Sequence, residues 1–257
     1  MRGDSGFPVR VRFTKHGKVR FISHRDVARN FERAFRIEQL PLAFSEGFSP
    51  RPKVSFGLAL SVGYESNAEY LDVELTEPVD VEALPDALSA ALPEGIDVTG
   101  TCRLLDRAPA LQESVDTVQF LVAVTDAQGT PLAREVLATT VNQALSGDSL
   151  VVTRTRKGRE SDDDILPSIR SIVLLDATAA PEFDTAGDAP VLEFTLATQP
   201  RGARPREVLD ALAQVGGIEL HDRRVLRTHQ WIERGGARLE PLAADCLLYT
   251  SPSPRDS

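Results

Sequence analysis

Cysteine is nearly absent from this chain: two occur among 257 residues, Cys102 and Cys246. There is no Cys-x-x-Cys pair and no Cys/His cluster, which argues against zinc and against an iron–sulfur cluster held by this chain. Two cysteines so far apart in sequence also do not make a disulfide scaffold. Lysine is almost as scarce. It stands at 15, 18, 53 and 157, and arginine supplies the other 25 cations. That bias is most simply a GC-rich coding sequence and is not by itself a sign of anion recognition, although arginine suits the task better than lysine. Long apolar runs are missing, so no transmembrane helix and no membrane partner are expected. The first ten residues, MRGDSGFPVR, contain no apolar stretch of the kind a secretory signal needs, and a cytoplasmic location is expected. The chain has no G-x-x-x-x-G-K-[ST], no G-x-G-x-x-G and no G-x-S-x-G, which disfavours nucleotide hydrolysis, dinucleotide chemistry and serine hydrolysis. No metal and no cofactor are expected.

What is present is an uneven distribution of charge. Residues 7–53 carry eleven Lys and Arg against Asp26, Glu32, Glu38 and Glu46, a surplus of seven, in a chain whose net charge is −9. A cationic segment inside an acidic protein points to a polyanion or a carboxylate-rich partner.

The length and the 42% apolar fraction allow two domains, each with its own core. Residues 7–14 alternate apolar and basic, as a strand with one wet face does. Val19–Ile22 continues as strand after a turn at His16-Gly17. Ser23 reads as an N-cap with Asp26 at the capping-box position, opening a helix that runs to about Ile37 and buries Val27, Phe31, Ala34 and Phe35. Residues 41–53 form a loop stiffened by proline. Strands follow at 54–56 and 69–75, a helix at 81–92 and a strand at 96–105. The second half repeats the order: strand 115–124, helix 131–145 with Pro131 at its first position, strands 150–156, 169–175 and 192–197, helix 205–215 and strand 218–228. Residues 176–190 read as a loop. The expected fold is α+β, two tandem ferredoxin-like (split βαβ) units with antiparallel sheets, at 7–105 and 115–230. The final stretch 246–257, CLLYTSPSPRDS, resembles the translation of a sequencing adapter and is set aside as a non-native tail, Cys246 and Tyr249 with it.

Three stretches resemble one family. F-T-K-H-G-x-V-R-F-I-S-H-x-D, then R-A-F-R-x-x-x-L-P-L-A-F-S-x-G-F-S-P-R-P-K-x-S-F-G, then G-Y-E-S-x-A-E-Y-L-D-V-E-L are similar to the radical-SAM-associated (radical-SAM-linked) domain family in its stand-alone form. The likeness is dense over residues 10–75 and looser to about residue 230. One departure is Arg25, where a leucine is more usual. The resemblance implies association with a radical-SAM protein. The chain lacks the cysteines to be the radical enzyme itself.

Several groups of residues carry candidate chemistry. Arg25, Arg29, Arg33 and Arg36 lie on one helical ridge that either tracks phosphates or is simply a solvated face. Arg10, Arg12 and Arg20 from the first strands are expected to face the same side. In the loop, Gly47 permits close backbone approach, Phe48 stacks on a base or fills the core, and Ser45, Arg51 and Lys53 complete an anion-binding set. His24 with Lys53 forms a catalytic candidate for metal-free RNA cleavage; the alternative for His24 is a local hydrogen bond near the N-cap. Glu65, Ser66, Glu69, Asp72 and Glu74 either stay separate from the cations or turn the patch into an ion-pair network. Asp162–Asp164 reads as a solvated hairpin tip or a divalent-ion site.

These observations support a non-catalytic module that binds RNA, or presents it as substrate, with tRNA or rRNA as the partner and no preference for DNA. The alternatives are a metal-free RNA nuclease or RNA-modifying enzyme, and a protein–protein adaptor for an acidic partner.

Overall fold

The computed structural model describes residues 6–105, 108–156, 158–176, 180, 183 and 189–246. In chain order the elements are β1 (Phe7–Lys15), α1 (His24–Ile37), β2 (Val54–Phe56), β3 (Glu65–Leu75), α2 (Leu84–Ala91), β4 (Val98–Arg103), α3 (Leu111–Ser114), β5 (Thr117–Thr125), α4 (Arg134–Ser146), β6 (Val151–Arg156), β7 (Arg159–Asp164), β8 (Ile169–Leu174), β9 (Val191–Ala197), α5 (Pro205–Gly216), β10 (His221–Arg234), β11 (Ala237–Leu239) and α6 (Pro241–Asp245). The protein is thus mixed α/β with mostly antiparallel pairing and, among the described residues, six α-helices. Its described residues divide into two compact units, one within 6–62, 68–114 and 232–246, the other within 63–67 and 115–231.

In the first unit the strand order is β4-β1-β3, with β2 paired antiparallel to β3. Alternation along β1 sends Val9, Val11 and Phe13 to the helix side, where they meet Leu71, Val73 and Leu75 of β3 and the apolar stripes of α1 and α2. Phe31, Phe35, Leu71, Leu75 and Leu88 are fully buried there, each worth about 1.5–3 kcal/mol of transfer free energy. The opposite face of the same sheet carries Arg10, Arg12 and Asp72.

Helix α1 begins as its sequence predicts. The Asp26 amide donates to Ser23 Oγ at 3.3 Å and the Ser23 amide donates back to Asp26 Oδ2 at 3.3 Å. The Ser23 hydroxyl also donates to Asp26 Oδ2, at 2.6 Å, and is the main reason that the Asp26 carboxyl is held below its usual range. Ser23→Ala removes both contributions; a loss of about 1 kcal/mol is expected in urea unfolding, within the range for serine N-caps.

Two local expectations need correction. Residues 19–22 are not strand: Gly17–Phe21 is a 3-10 turn, entered by Gly17 at φ 63°. The buried Lys15 ammonium donates to the carbonyls of Arg20 (3.2 Å) and Ile22 (3.3 Å), partnering oxygens that a strand neighbour would otherwise take. Pro131 is not the first residue of α4, which starts at Arg134 behind Ala133; Pro131 instead bridges Thr125. The expected loop 176–190 lies largely outside the described residues.

In the second unit the strand order is β10-β5-β9-β8, antiparallel throughout, with Glu65 and Ser66 at the start of β3 running parallel to Leu226 and Arg227 of β10. Helices α4 and α5 bury Leu137, Val141, Val208, Leu209 and Leu212. Gly216 is required where α5 nears α4, since a methyl there would sit 2.6 Å from Thr140 Oγ1. A separate hairpin, β6–β7, holds the acidic run inside β7 and not at a tip. All three carboxylates are engaged there: Asp162 accepts from Thr153 Oγ1 (2.9 Å), Asp163 pairs with Arg201 (2.6 Å) and Arg154 (3.3 Å), and Asp164 accepts the Leu150 and Leu166 amides. Among the described residues no group of His, Cys, Asp and Glu is placed to hold a metal ion.

Candidate nucleic-acid interface

Helix α1 separates its residues by chemistry. Val27, Phe31, Ala34 and Phe35 turn inward, and Arg25, Arg29, Arg33 and Arg36 turn outward and are exposed. At 1.5 Å per residue the row from Arg25 to Arg36 is about 16 Å long. Arg29 makes an exposed i,i+3 pair with Asp26 at 3.3 Å, a contact of the sort that contributes little. Among the described residues, no carboxylate pairs with Arg25, Arg33 or Arg36.

Just before this helix, the 3-10 turn holds Phe21 outward. Its ring is 61% exposed, and the Arg20 guanidinium lies over it at 4.7 Å, a cation–π arrangement. Just after the helix, residues 43–53 form a hairpin arm. The Ser45 amide donates to the Arg51 carbonyl (2.8 Å), the Arg51 amide to Ser45 Oγ (3.1 Å) and the Lys53 amide to the Ala43 carbonyl (2.8 Å). Gly47 takes φ 122° at the tip, a conformation that a side chain would strain. Phe44 is 52% exposed and Phe48 110%, so Phe48 does not fill the core. Arg51 is exposed, again without a carboxylate partner among the described residues.

The expected convergence of all the cations does not occur. Arg10 is wholly buried on the other face of the sheet. Its Nε and Nη2 donate to Asp72 (2.7 and 2.9 Å) and its Nη1 to Asp245 (2.6 Å). Burial alone would lower the Arg10 pKa; Asp72 and Asp245 outweigh it and hold the group above its ordinary value. Arg12 pairs with Glu240 at 2.9 Å and Lys53 with Glu74 at 3.1 Å. Arg10, Arg12 and Lys53 therefore belong to ion pairs, as the position of Asp72 and Glu74 on one face of a strand made possible. Among the described residues, ion pairing on the α1 ridge is confined to the exposed Arg29–Asp26 contact. Tyr70, on the same face as Arg10, has its hydroxyl pushed well above its usual range by burial, despite the opposing pull of Arg12 and Arg10. Burial likewise pushes Tyr64, in the second unit, up to about 12. Both hold protons that the unfolded chain releases near pH 10, so stability falls as pH rises above that point.

His24 and Lys53 do not meet. The His24 ring stands edge-on to Phe56 at 5.0 Å, on the core side of β2. Lys53 lies three residues before Phe56 and so on the opposite side. His24 instead rims a cavity of about 20 Å³ lined also by Lys15, Gly57, Leu58, Glu69 and Tyr70, a volume that admits about one water.

Sequence reasoning missed the exposed rings of Phe21 and Phe44, and missed Glu240 and Asp245. The first pair carried a signal, since each is an aromatic residue beside Arg20 or the prolines of the arm. The second carried none, lying at the far end of the chain from Arg10 and Arg12. Cys246, set aside with the tail, is part of the first unit: it forms a disulfide with Cys102 and a backbone bridge with Leu104. The rest of that tail lies outside the described residues.

The geometry defines a two-unit α/β protein whose first unit presents an arginine row preceded and followed in the chain by exposed aromatic rings. The chain belongs to the family described as an uncharacterized protein conserved in bacteria (DUF2344), which its residues 9–204 match. No curated protein matches it. Among solved structures it is similar to chains of the archaeal box H/ACA sRNP Nop10-Cbf5 complex (TM-score 0.46, 9% identity, 88% of this chain and 48% of that one) and of a Cbf5-Nop10-Gar1 complex (TM-score 0.47, 10% identity, 90% and 54%). The chain spans about half the length of either.

Proposed function

We propose that this protein is a cytoplasmic, non-catalytic module that binds RNA, or presents it as substrate, beside a radical-SAM enzyme or an RNA-processing system. The observation that carries the reading is the α1 row, Arg25, Arg33 and Arg36, which has no carboxylate partner among the described residues of a chain whose net charge is −9. With so many carboxylates available, an unneutralised row is a surface suited to an external polyanion. Arg20, His24, Arg29 and Arg51 extend it, Phe48 supplies a stacking ring, and Ser45 and Gly47 shape the arm. The association with radical-SAM chemistry is supported by the motif resemblance over residues 10–75, and tRNA or rRNA is the partner it favours. Each unit is read as a split βαβ, ferredoxin-like domain, at 7–105 and 115–230; the strand orders β4-β1-β3-β2 and β10-β5-β9-β8 support this. Filter binding of total RNA to the purified protein over a salt series tests the function. The logarithm of the affinity is expected to fall linearly with the logarithm of salt concentration. Absence of binding, or binding with no salt slope, ends the proposal.

One observation favours a second reading. His24 shares its small cavity with Lys15 and Glu69, so a general base lies near the cationic surface. If the protein processes RNA, wild type and His24→Ala give different product patterns; identical patterns remove that reading.

A further inference from the structure

Resting on the RNA reading above, we infer that the bound segment is single-stranded, and that the exposed phenylalanines at the two ends of α1 are what select it. Phe21 precedes the helix and Phe44 and Phe48 follow it, so the arginine row is bracketed in the chain by aromatic rings that the fold does not bury. The core of this unit is complete without them; Phe13, Phe31 and Phe35 fill it. A phenylalanine 110% exposed at the tip of a backbone-bonded arm gains nothing from folding and costs solubility. Its ring is open to a planar partner.

Unpaired bases are such partners. In a duplex each base face is covered by its neighbours, and a protein meets phosphates and the shallow groove. In single strands the faces are open, and stacking on aromatic side chains contributes independently of sequence. The charges settle the partner's sign: Lys18, Arg25, Arg33, Arg36 and Arg51 are exposed, with no carboxylate partner among the described residues. A row about 16 Å long is matched by the backbone of a few nucleotides, with bases left over at either end for the rings. Over Phe21 the Arg20 guanidinium already occupies one face at 4.7 Å, which leaves the other face for a base. An apolar peptide would leave the arginines unmatched, and an acidic one would leave the rings unmatched.

The test measures fluorescence anisotropy of a labelled 12-nucleotide single-stranded RNA, and of the same strand annealed to its complement, with wild type, Phe21→Ala, Phe48→Ala and Phe48→Trp. Thermal unfolding checks that each variant folds, as exposed positions should. Wild type is expected to bind the single strand at least tenfold more tightly than the duplex. Each alanine variant should weaken single-strand binding by about 5- to 150-fold, the equivalent of one lost base stack, leave duplex binding unchanged, and be rescued by Phe48→Trp at position 48. Equal affinity for both forms with no effect of the phenylalanine variants overturns the inference and leaves RNA binding intact. Absence of binding to either form removes the RNA reading itself. Displacement of the strand by polyglutamate at equal charge concentration, again insensitive to the phenylalanines, overturns it in favour of an acidic protein partner.

Discussion

Arg10→Ala is expected to destabilise the first unit by about 3–5 kcal/mol, the range seen when one member of a buried ion pair is deleted. The Arg10 side chain is 0% exposed and that of Asp245 is 1% exposed. Deletion leaves the Asp245 carboxylate buried, still held by Arg234 through Nη2 at 2.5 Å but without its second cation. The Asp72 side chain is 20% exposed, so water can replace its lost partner and the cost falls mainly on Asp245. The same guanidinium also donates to the Pro241 carbonyl at 3.3 Å, so the variant should loosen residues 234–246 from the sheet as well as lowering the unfolding midpoint. Urea unfolding followed by circular dichroism reads the first effect, and limited proteolysis near residue 240 reads the second. Arg10→Lys keeps the charge but loses the two-pronged contact with Asp72, and should fall between wild type and alanine. A change below 1 kcal/mol for Arg10→Ala would show that the network is not what holds the C-terminal segment. Loss of RNA binding in this variant would follow from unfolding and would say nothing about contact with RNA.

The contrast between Arg10 and Arg25 shows what could be read from the sequence. Helix α1 was legible because its causes are local: Ser23 and Asp26 sit three residues apart, and the buried stripe repeats at helical spacing. Its ridge could be placed for the same reason. The fate of Arg10 depends on Asp245, 235 residues away, and no periodic pattern marks such a partner. The alternation along β1 separates Arg10 and Arg12 from the apolar face, but the expected wet face is not wet at Arg10, which is wholly buried, because that face meets the C-terminal segment of β11, α6 and the residues between them. Lys15 misleads in another way. As a charged residue at the end of a strand it reads as surface, yet it is buried and ties down the turn that exposes Phe21. Phe48 and Phe56 stand in one motif and read alike; the first is bare and the second is packed against His24 and Phe31. Exposure at such positions is set by whether the backbone pairs into β2 or projects as the arm.

If the α1 row is the anion surface, the triple variant Arg25→Ala, Arg33→Ala, Arg36→Ala should bind RNA with a visibly shallower salt dependence. Each phosphate contact to a single strand adds about 0.7 to the slope of log affinity against log salt, so three lost contacts reduce it by roughly two. The ratio of wild-type to variant affinity should then shrink by about 15- to 20-fold between 50 and 200 mM salt. Such convergence separates loss of charge contacts from a general loss of affinity. The substitutions should leave the fold intact, because the three side chains are exposed and alanine is at least as good a helix former as arginine. Lys53→Ala and Arg12→Ala serve as comparisons, since both remove a cation that already faces a carboxylate, Glu74 and Glu240. If charge count alone governed binding, each of these would lower the slope as much as one α1 arginine does. If position governs it, their slopes stay at the wild-type value while the triple variant's falls. An unchanged slope in the triple variant would move the anion site off α1 altogether, and with it the reason for reading this unit as an RNA-binding surface.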